Sequence, residues 1–380
     1  MIPQSGTFPS QTISILIQQG GITSDASEGI ADKQIQPASL DLTLSEEAYQ
    51  LPGSVLPQRT ESVRELVERY QRKKIDLSQP TMLDRNKVYL VRLRESFNLA
   101  PLATDGPVIE AYTNNKSSTG RIDLATRTIC DHAPRYDKLP PNYQGELWIE
   151  IIPKSFDVVL ASGVSLNQAI FYRERKVLRS KELKELWQGS PLLYSKTGEP
   201  LAARDAFVED GILMTVDLDQ DCVGYVARKT YEPVDLTSGK MHNAEEYFEP
   251  IKRPRLGQLY VEKGRFYIFS TAEFIRVPPT YAVEMLPYDT SAGEFRAHYA
   301  GFFDPGFGYG LKGEDMGAPA VLEVRAYEDD LIVRHRQPIC RMAYEVLHEA
   351  PDRLYHASTG ASYAKQRGPQ LSKLFIKESA

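Results

Sequence analysis

Apolar and polar residues alternate in short runs along most of the chain. "KVYLVRL", "GELWIEI", "RFYIFST" and "AVLEVRAY" are rich in Val, Ile, Tyr and Phe, and predict half-buried strands. Pro and Gly, 25 of each, punctuate these runs. Helical periodicity is confined to three stretches. "SQTISILIQQGG" predicts a helix with Ser10 as N-cap and Gly20 as its stop. "TESVRELVERYQRKK" carries a capping box, Ser62 with Glu65. "SKELKELWQG" (180–189) predicts a short amphipathic helix. The many short strands predict a mainly β protein built from distorted barrel or jelly-roll-like domains.

The strand pattern occurs twice. "IQPASLDLTL" (35–44) reads like "DGILMTVDLD" (210–219), with Asp41 matching Asp217 at an offset of 176. "YLVRLRESFNLAP" reads like "YIFSTAEFIRVPP", aligning Tyr89 with Tyr267, Glu95 with Glu273 and Pro101 with Pro279 at 178. Glu150 matches Glu323, and Asp157 matches Asp330, at 173. Segments repeating in one order at nearly one offset predict a duplicated domain. The expected division is 1–175, a connection over 176–204 holding the short helix, and 205–380.

Composition narrows the class. At 380 residues, with 42% hydrophobic and 25% charged residues, the chain reads as a two-domain globular protein. It has no apolar run of membrane-spanning length, and "MIPQSGTFPS" lacks the layout of a signal peptide. A net charge of −6 argues against a broad nucleic-acid surface but leaves small phosphorylated ligands open. Cys130, Cys222 and Cys340 are far apart, which predicts free thiols and the cytoplasm. The chain has no C-x-x-C, no H-x-E with P-C-x-x-C and no H-E-x-x-H, so zinc is not expected. Gly-rich phosphate loops of the P-loop and Rossmann kinds are missing too.

One stretch suggests anion chemistry. "NNKSSTGRIDL" places Lys116, Ser117, Ser118 and Arg121 around a helix start, where backbone N–H groups and hydroxyls converge on negative charge. A surface helix capped by serine is the plainer reading of these residues taken alone.

Five segments together carry a resemblance: "QPASLDLTL", "KSSTGR", "FFDPGFG" (302–308), "AVLEV" and "SYAKQRGPQLSK" (362–373). In that order they resemble the motifs of the dCTP deaminases, members of the trimeric dUTPase-like superfamily. Lys116 stands where the family's first arginine is usual. The resemblance implies two fused dUTPase-like domains and hydrolytic deamination of dCTP to dUTP and ammonia, feeding dUMP and dTTP synthesis. It implies Mg²⁺ carried with the triphosphate, a homotrimer, and dUTP or dTTP as further ligands. It assigns Glu323 as the base that activates water, aided by Ser117 and Arg121. Lys116, Ser117, Ser118 and Arg121 would hold the triphosphate. Phe303, Asp304 and Gly306 would hold base and sugar, and Tyr363 and Gln366 lie on a tail that closes over the nucleotide.

The two copies depart from the motifs in opposite ways. The first keeps Ser-Ser-x-x-Arg, but its hairpin reads "RYDKLPPNYQG" without Asp-Pro-Gly. The second keeps hairpin, glutamate and tail, while "YDTSAGEFR" has lost the serine spacing. One working site would then combine Ser117, Ser118 and Arg121 with Asp304, Glu323 and Gln366, and Glu150 is the competing base. An apolar strand desolvates a carboxylate and raises its pKa toward the working range. A strand glutamate taken alone reads as outward-facing, but the place of Glu323 after "FFDPGFG" favours the catalytic reading; core packing is the plainer reading of one of Phe302 and Phe303. A dUTPase, a bifunctional enzyme making dUMP from dCTP, and a non-catalytic nucleotide-binding protein remain alternatives.

Overall fold

The computed structural model describes residues 5–103, 106–206, 208, 210–287, 296–297, 301–327, 329–356 and 361–376. They form two units: Met1–Arg175 with Thr230–His242, and Lys176–Lys229 with Asn243–Ala380. The structure is mostly β, with curled sheets and few short helices. No helix among the described residues is long and apolar enough to cross a membrane.

In the first unit, α1 (Ser10–Gln18) begins one residue earlier than expected. Pro9 takes the N-cap place with extended backbone, and Ser10 is already helical. Gly20 ends the helix as anticipated, at φ +74°. The main sheet uses β1 (Leu40–Leu51), β2 (Val88–Asn98), β3 (Glu110–Asn115), β4 (Leu124–Cys130), β5 (Gln144–Pro153) and β6 (Ser165–Arg173). Their order is β3-β6-β1-β2-β5-β4, all antiparallel. Strands β3 and β4 stand at opposite ends of this order, yet only residues 116–123 connect them. The sheet therefore has to curl until they meet. The Asn115 side chain donates to the Leu124 carbonyl (3.4 Å) and accepts from Thr126 across the seam. On one face lies α2 (Val63–Tyr70), with the predicted capping box formed: Ser62 N–H donates to Glu65 (2.6 Å) and Glu65 N–H to Ser62 (3.3 Å). Its Val63 and Val67 pack with Tyr49, Leu90 and Trp148.

The single turn α3 (Ser117–Gly120) completes the first unit's helices named here, and the second unit begins with α4 (Ser180–Gly189), the expected amphipathic helix. Leu183 and Trp187 of α4 are part of this unit's core, so 176–204 is packed structure within it. Its strands include β7 (Ile212–Thr215), β8 (Phe266–Ile275), β9 (Tyr281–Pro287), β10 (Phe302–Phe303), β11 (Ala318–Arg325) and β12 (Pro338–Val346). One sheet pairs β8 with β11, and another runs β7-β12-β9-β10. All ten residues of β8 are buried. The alternating pattern predicted a half-buried strand, but curling covers both of its faces.

The duplication is visible atom by atom. Thr43 gives its N–H (2.8 Å) and hydroxyl (2.7 Å) to Glu95, and Thr215 does the same to Glu273 (2.8 and 2.6 Å). Tyr89 accepts from Asp84 N–H as Tyr267 does from Glu262. Asp157 takes the N–H of Arg85 and Asp330 that of Lys263, both at 2.7 Å. One expected match fails. Thr43 and Thr215 set the offset of the first repeated strand at 172, so Asp41 corresponds to Leu213 and not to Asp217. A period-2 strand matches itself almost as well after an even slip, which misplaced the alignment by four residues.

Candidate active site

Strand β3 runs into a single turn, α3 (Ser117–Gly120). Thr119 fixes this turn by donating its hydroxyl to Leu166 O at 2.8 Å. Lys116 occupies the N-cap position and makes no cap bond through its side chain, so neither serine is the N-cap residue. Ser117 is exposed, Ser118 half-buried, and Arg121 is buried at the C-cap. The Lys116 ammonium pairs with the Asp41 carboxylate. Four of the predicted anion-binding residues thus share one turn, braced against the strand that bears Asp41.

Glu150 lies on β5, opposite Leu90 on one side and Arg127 on the other. It is 1% exposed and paired to Arg127, whose Nε donates at 3.0 Å. That guanidinium also lies over the Tyr136 ring at 3.9 Å. Next to it, Asp137 joins the two seam strands: its carboxylate accepts from Thr128 N–H (2.8 Å) and the Thr113 hydroxyl (3.0 Å). The first copy's hairpin residues are therefore engaged in closing their own barrel. Burial pushes the Asp137 carboxyl up to about 6, against an ordinary 3.8. With the folded value raised, the contribution of this group to stability is full below about pH 4 and is lost as pH rises to about 6. Asp137→Asn is expected to change the urea midpoint more favourably at about pH 7 than at about pH 4, each measured beside the unmodified chain.

In the second unit the hairpin is intact. Phe302 is buried, as the core reading expected, and pairs with Glu284; Phe303 is half-buried and packs edge-on to Phe307 at 4.8 Å. Asp304 is buried. Gly306 has φ +98°, and a Cβ there would stand 2.9 Å from Leu354 Cβ and Tyr355 N, so the turn requires glycine. Glu323 is 5% exposed on β11, opposite Ile268, the position that Glu150 holds opposite Leu90. The tail reaches this same strand. Gln366 donates to the carbonyl of Pro319 (2.6 Å), four residues before Glu323. Tyr363 accepts from Lys373 N–H (3.0 Å) and its own N–H donates to the Tyr355 hydroxyl (3.2 Å). The second copy's altered serine element, 288–296, lies almost wholly outside the described residues; Arg296 and Ala297 pair with Arg325 and Val324.

Residues 4–175 match the family model "2'-deoxycytidine 5'-triphosphate deaminase (DCD) N-terminal domain", and 180–375 match the C-terminal domain of the same family. The chain belongs to the dCTP deaminase family. A solved dCTP deaminase from Agrobacterium tumefaciens is 34% identical, with a TM-score of 0.82 over 92% of this chain and 100% of that one. No curated protein matches. As a dCTP deaminase the chain is a hydrolytic enzyme acting on dCTP, with the two-domain arrangement that its repeats foretold.

Within this dCTP deaminase the predicted site residues fall into two sets. Lys116, Ser117, Ser118, Arg121 and Glu150 belong to the first unit; Phe303, Asp304, Gly306, Glu323, Tyr363 and Gln366 belong to the second. Sequence reasoning missed Arg127 and Asp137, which have no motif and show their roles only once β3, β4 and β5 are adjacent. It also missed Arg276, which follows β8 directly.

Proposed function

We propose that the enzyme converts dCTP and water to dUTP and ammonia, with Glu323 as the base. Water attacks cytosine C4 as Glu323 takes its proton. That proton passes to N3 and stays there in the uracil product; the second proton, on the new C4 hydroxyl, passes through Glu323 to the amino group, and ammonia leaves as the C4 carbonyl forms. Arg121 and Ser117 hold the water and the developing oxyanion. Lys116, Ser117, Ser118 and Arg121 hold the phosphates, and Phe303, Asp304 and Gly306 the deoxycytidine.

One contrast carries this reading. Glu150 is tied to Arg127 beneath Tyr136, beside a hairpin that has lost Asp-Pro-Gly. Glu323 occupies the equivalent strand position in the copy whose hairpin and tail keep the motif. Mg²⁺ would enter with the triphosphate, where it neutralises charge on the phosphate oxygens. An ion bound mainly through substrate phosphates and waters needs no dedicated protein ligand set. Lys116, Ser117 and Ser118 are the residues that would face that phosphate–metal unit. A homotrimer in the cytoplasm is part of the same proposal; the free thiols, with Cys130 and Cys340 buried, fit a reducing compartment.

Incubation with dCTP and Mg²⁺ should release ammonia and dUTP in equal amounts. Activity should be lost with EDTA, restored by Mg²⁺, and unaffected by a zinc-selective chelator. Formation of dUMP and pyrophosphate would reveal the bifunctional enzyme instead. Zinc at one equivalent per chain, lost together with activity, would sink the zinc-free mechanism.

A further inference from the structure

Asp304 and Glu323 are separated by a loop that folds back on itself. Tyr309 N–H donates to Gly306 O (3.0 Å), Asp315 N–H to Tyr309 O (3.1 Å) and Gly317 N–H to Gly308 O (3.0 Å). The Glu314 carboxylate accepts from the N–H groups of Leu311 (3.2 Å) and Lys312 (2.6 Å). One side chain from outside grips this loop. Arg276 donates through Nη2 to Gly313 O at 2.7 Å and lies over the Tyr309 ring at 4.3 Å. Through Nη1 it donates to Ser190 Oγ, just past α4, at 2.8 Å.

The backbone around Arg276 is equally fixed. Its N–H donates to Leu192 O (2.9 Å), and its carbonyl accepts from the fully buried Tyr344 hydroxyl (2.8 Å). The next residue, Val277, exchanges backbone bonds with the hairpin itself, at Gly306 (3.0 Å) and Phe307 (2.9 Å). Arg276 is 7% exposed, and among the described residues no carboxylate pairs with it. A buried cation held by a carbonyl, a hydroxyl and the rings of Tyr309 and Tyr194 is expensive, and an apolar residue would fill the space at lower cost. What the guanidinium adds is a rigid planar fork that ties three segments at fixed angles. The first copy has no such device. At the repeat offset of 178 its residue is Asn98, a half-buried strand end whose side chain accepts from Gln144. The clamp therefore occurs in the copy that keeps the nucleotide hairpin.

We propose that Arg276 is a positioning residue: by gripping the loop between the Asp304 hairpin and the Glu323 strand, it sets the geometry in which the deoxycytidine moiety is held. This rests on the hairpin assignment above. Its removal acts on substrate capture more than on the chemical step.

The test uses the full-length chain with Arg276→Met, Arg276→Lys, Tyr309→Leu and Tyr309→Phe. KM and kcat for dCTP are measured beside the rate of tryptic cleavage after Lys312, which reports loop grip without turnover. Arg276→Met should raise KM roughly tenfold or more with kcat within about threefold of the unmodified enzyme. Arg276→Lys keeps charge but not the fork and should recover less than half of that loss. Tyr309→Leu should raise KM and speed cleavage, while Tyr309→Phe keeps the ring face and should do neither. A folded Arg276→Met enzyme with unchanged KM, or one that loses only thermal stability, overturns the proposal. So does a Tyr309→Phe enzyme as impaired as Tyr309→Leu. If Arg276→Met does not fold, the Tyr309 pair decides alone. An unmodified enzyme that releases no ammonia would refute the functional reading, whereas normal turnover with indifferent Arg276 variants refutes only the clamp.

Discussion

Glu323→Gln should still bind dCTP and lose roughly 10²–10⁴-fold in turnover, the usual worth of a positioned general base. The amide matches the carboxylate in shape, so the packing of a 5%-exposed side chain between β8 and its neighbours is preserved. It cannot take a proton from water. KM should therefore change little while kcat falls, the pattern of an interaction made in the transition state and not in the ground state. Equilibrium binding of dCTP by the variant, set against its ammonia release, separates the two effects. Loss of binding together with turnover would mean that Glu323 holds the substrate and is not the base.

Arg121→Ala is the second large effect, an expected loss of about 10²–10³ in kcat from removal of one oriented donor in a water-poor site. The backbone of α3 does not depend on the side chain, because the Arg121 N–H bonds to Ser117 O and Thr119 anchors the turn independently. Arg121→Lys should recover only part of the loss, since one ammonium cannot reproduce a planar fork. Arg121 is 3% exposed, so the unfolding midpoint of each variant must be measured beside kcat. A variant that unfolds near assay temperature reports stability. One that stays folded and active at the unmodified rate removes Arg121 from the mechanism.

Much of this was legible in the sequence because it depends on local rules. The Ser62–Glu65 box, the stop at Gly20 and the helix at 180–189 each follow from a few adjacent residues. The duplication was legible because Glu95 and Glu273 perform one buried task, bracketing Thr43 and Thr215, and that task constrains their neighbours. The register of the first repeated strand was not legible. Period-2 patterns resist slips of one residue but not of four, and only the bonds to Glu95 and Glu273 fix it. Burial on both faces of β8 was hidden for a related reason. Tyr267 and Ser270 fall on opposite faces, so the polar groups on both sides gave no sign that curling covers each face.

The candidate site was legible where it is a contiguous motif and hidden where its residues meet only through the fold. Ser117, Ser118 and Arg121 are neighbours in sequence and share one turn. The commitment of Glu150 to Arg127 requires β4 beside β5, and nothing in "GELWIEI" announces it. Arg276 was equally silent, since its partners Ser190, Tyr309 and Gly313 are up to 86 residues away.

The most direct discriminator between the two glutamates is ammonia release from saturating dCTP by Glu150→Gln and Glu323→Gln enzymes, each corrected for bound nucleotide. If Glu323 is the base, Glu150→Gln disturbs only a structural ion pair and keeps roughly a tenth or more of the unmodified rate, while Glu323→Gln falls to the level of a removed general base. A dead Glu150→Gln enzyme beside an active Glu323→Gln enzyme would contradict the assignment and move the chemistry to the first copy.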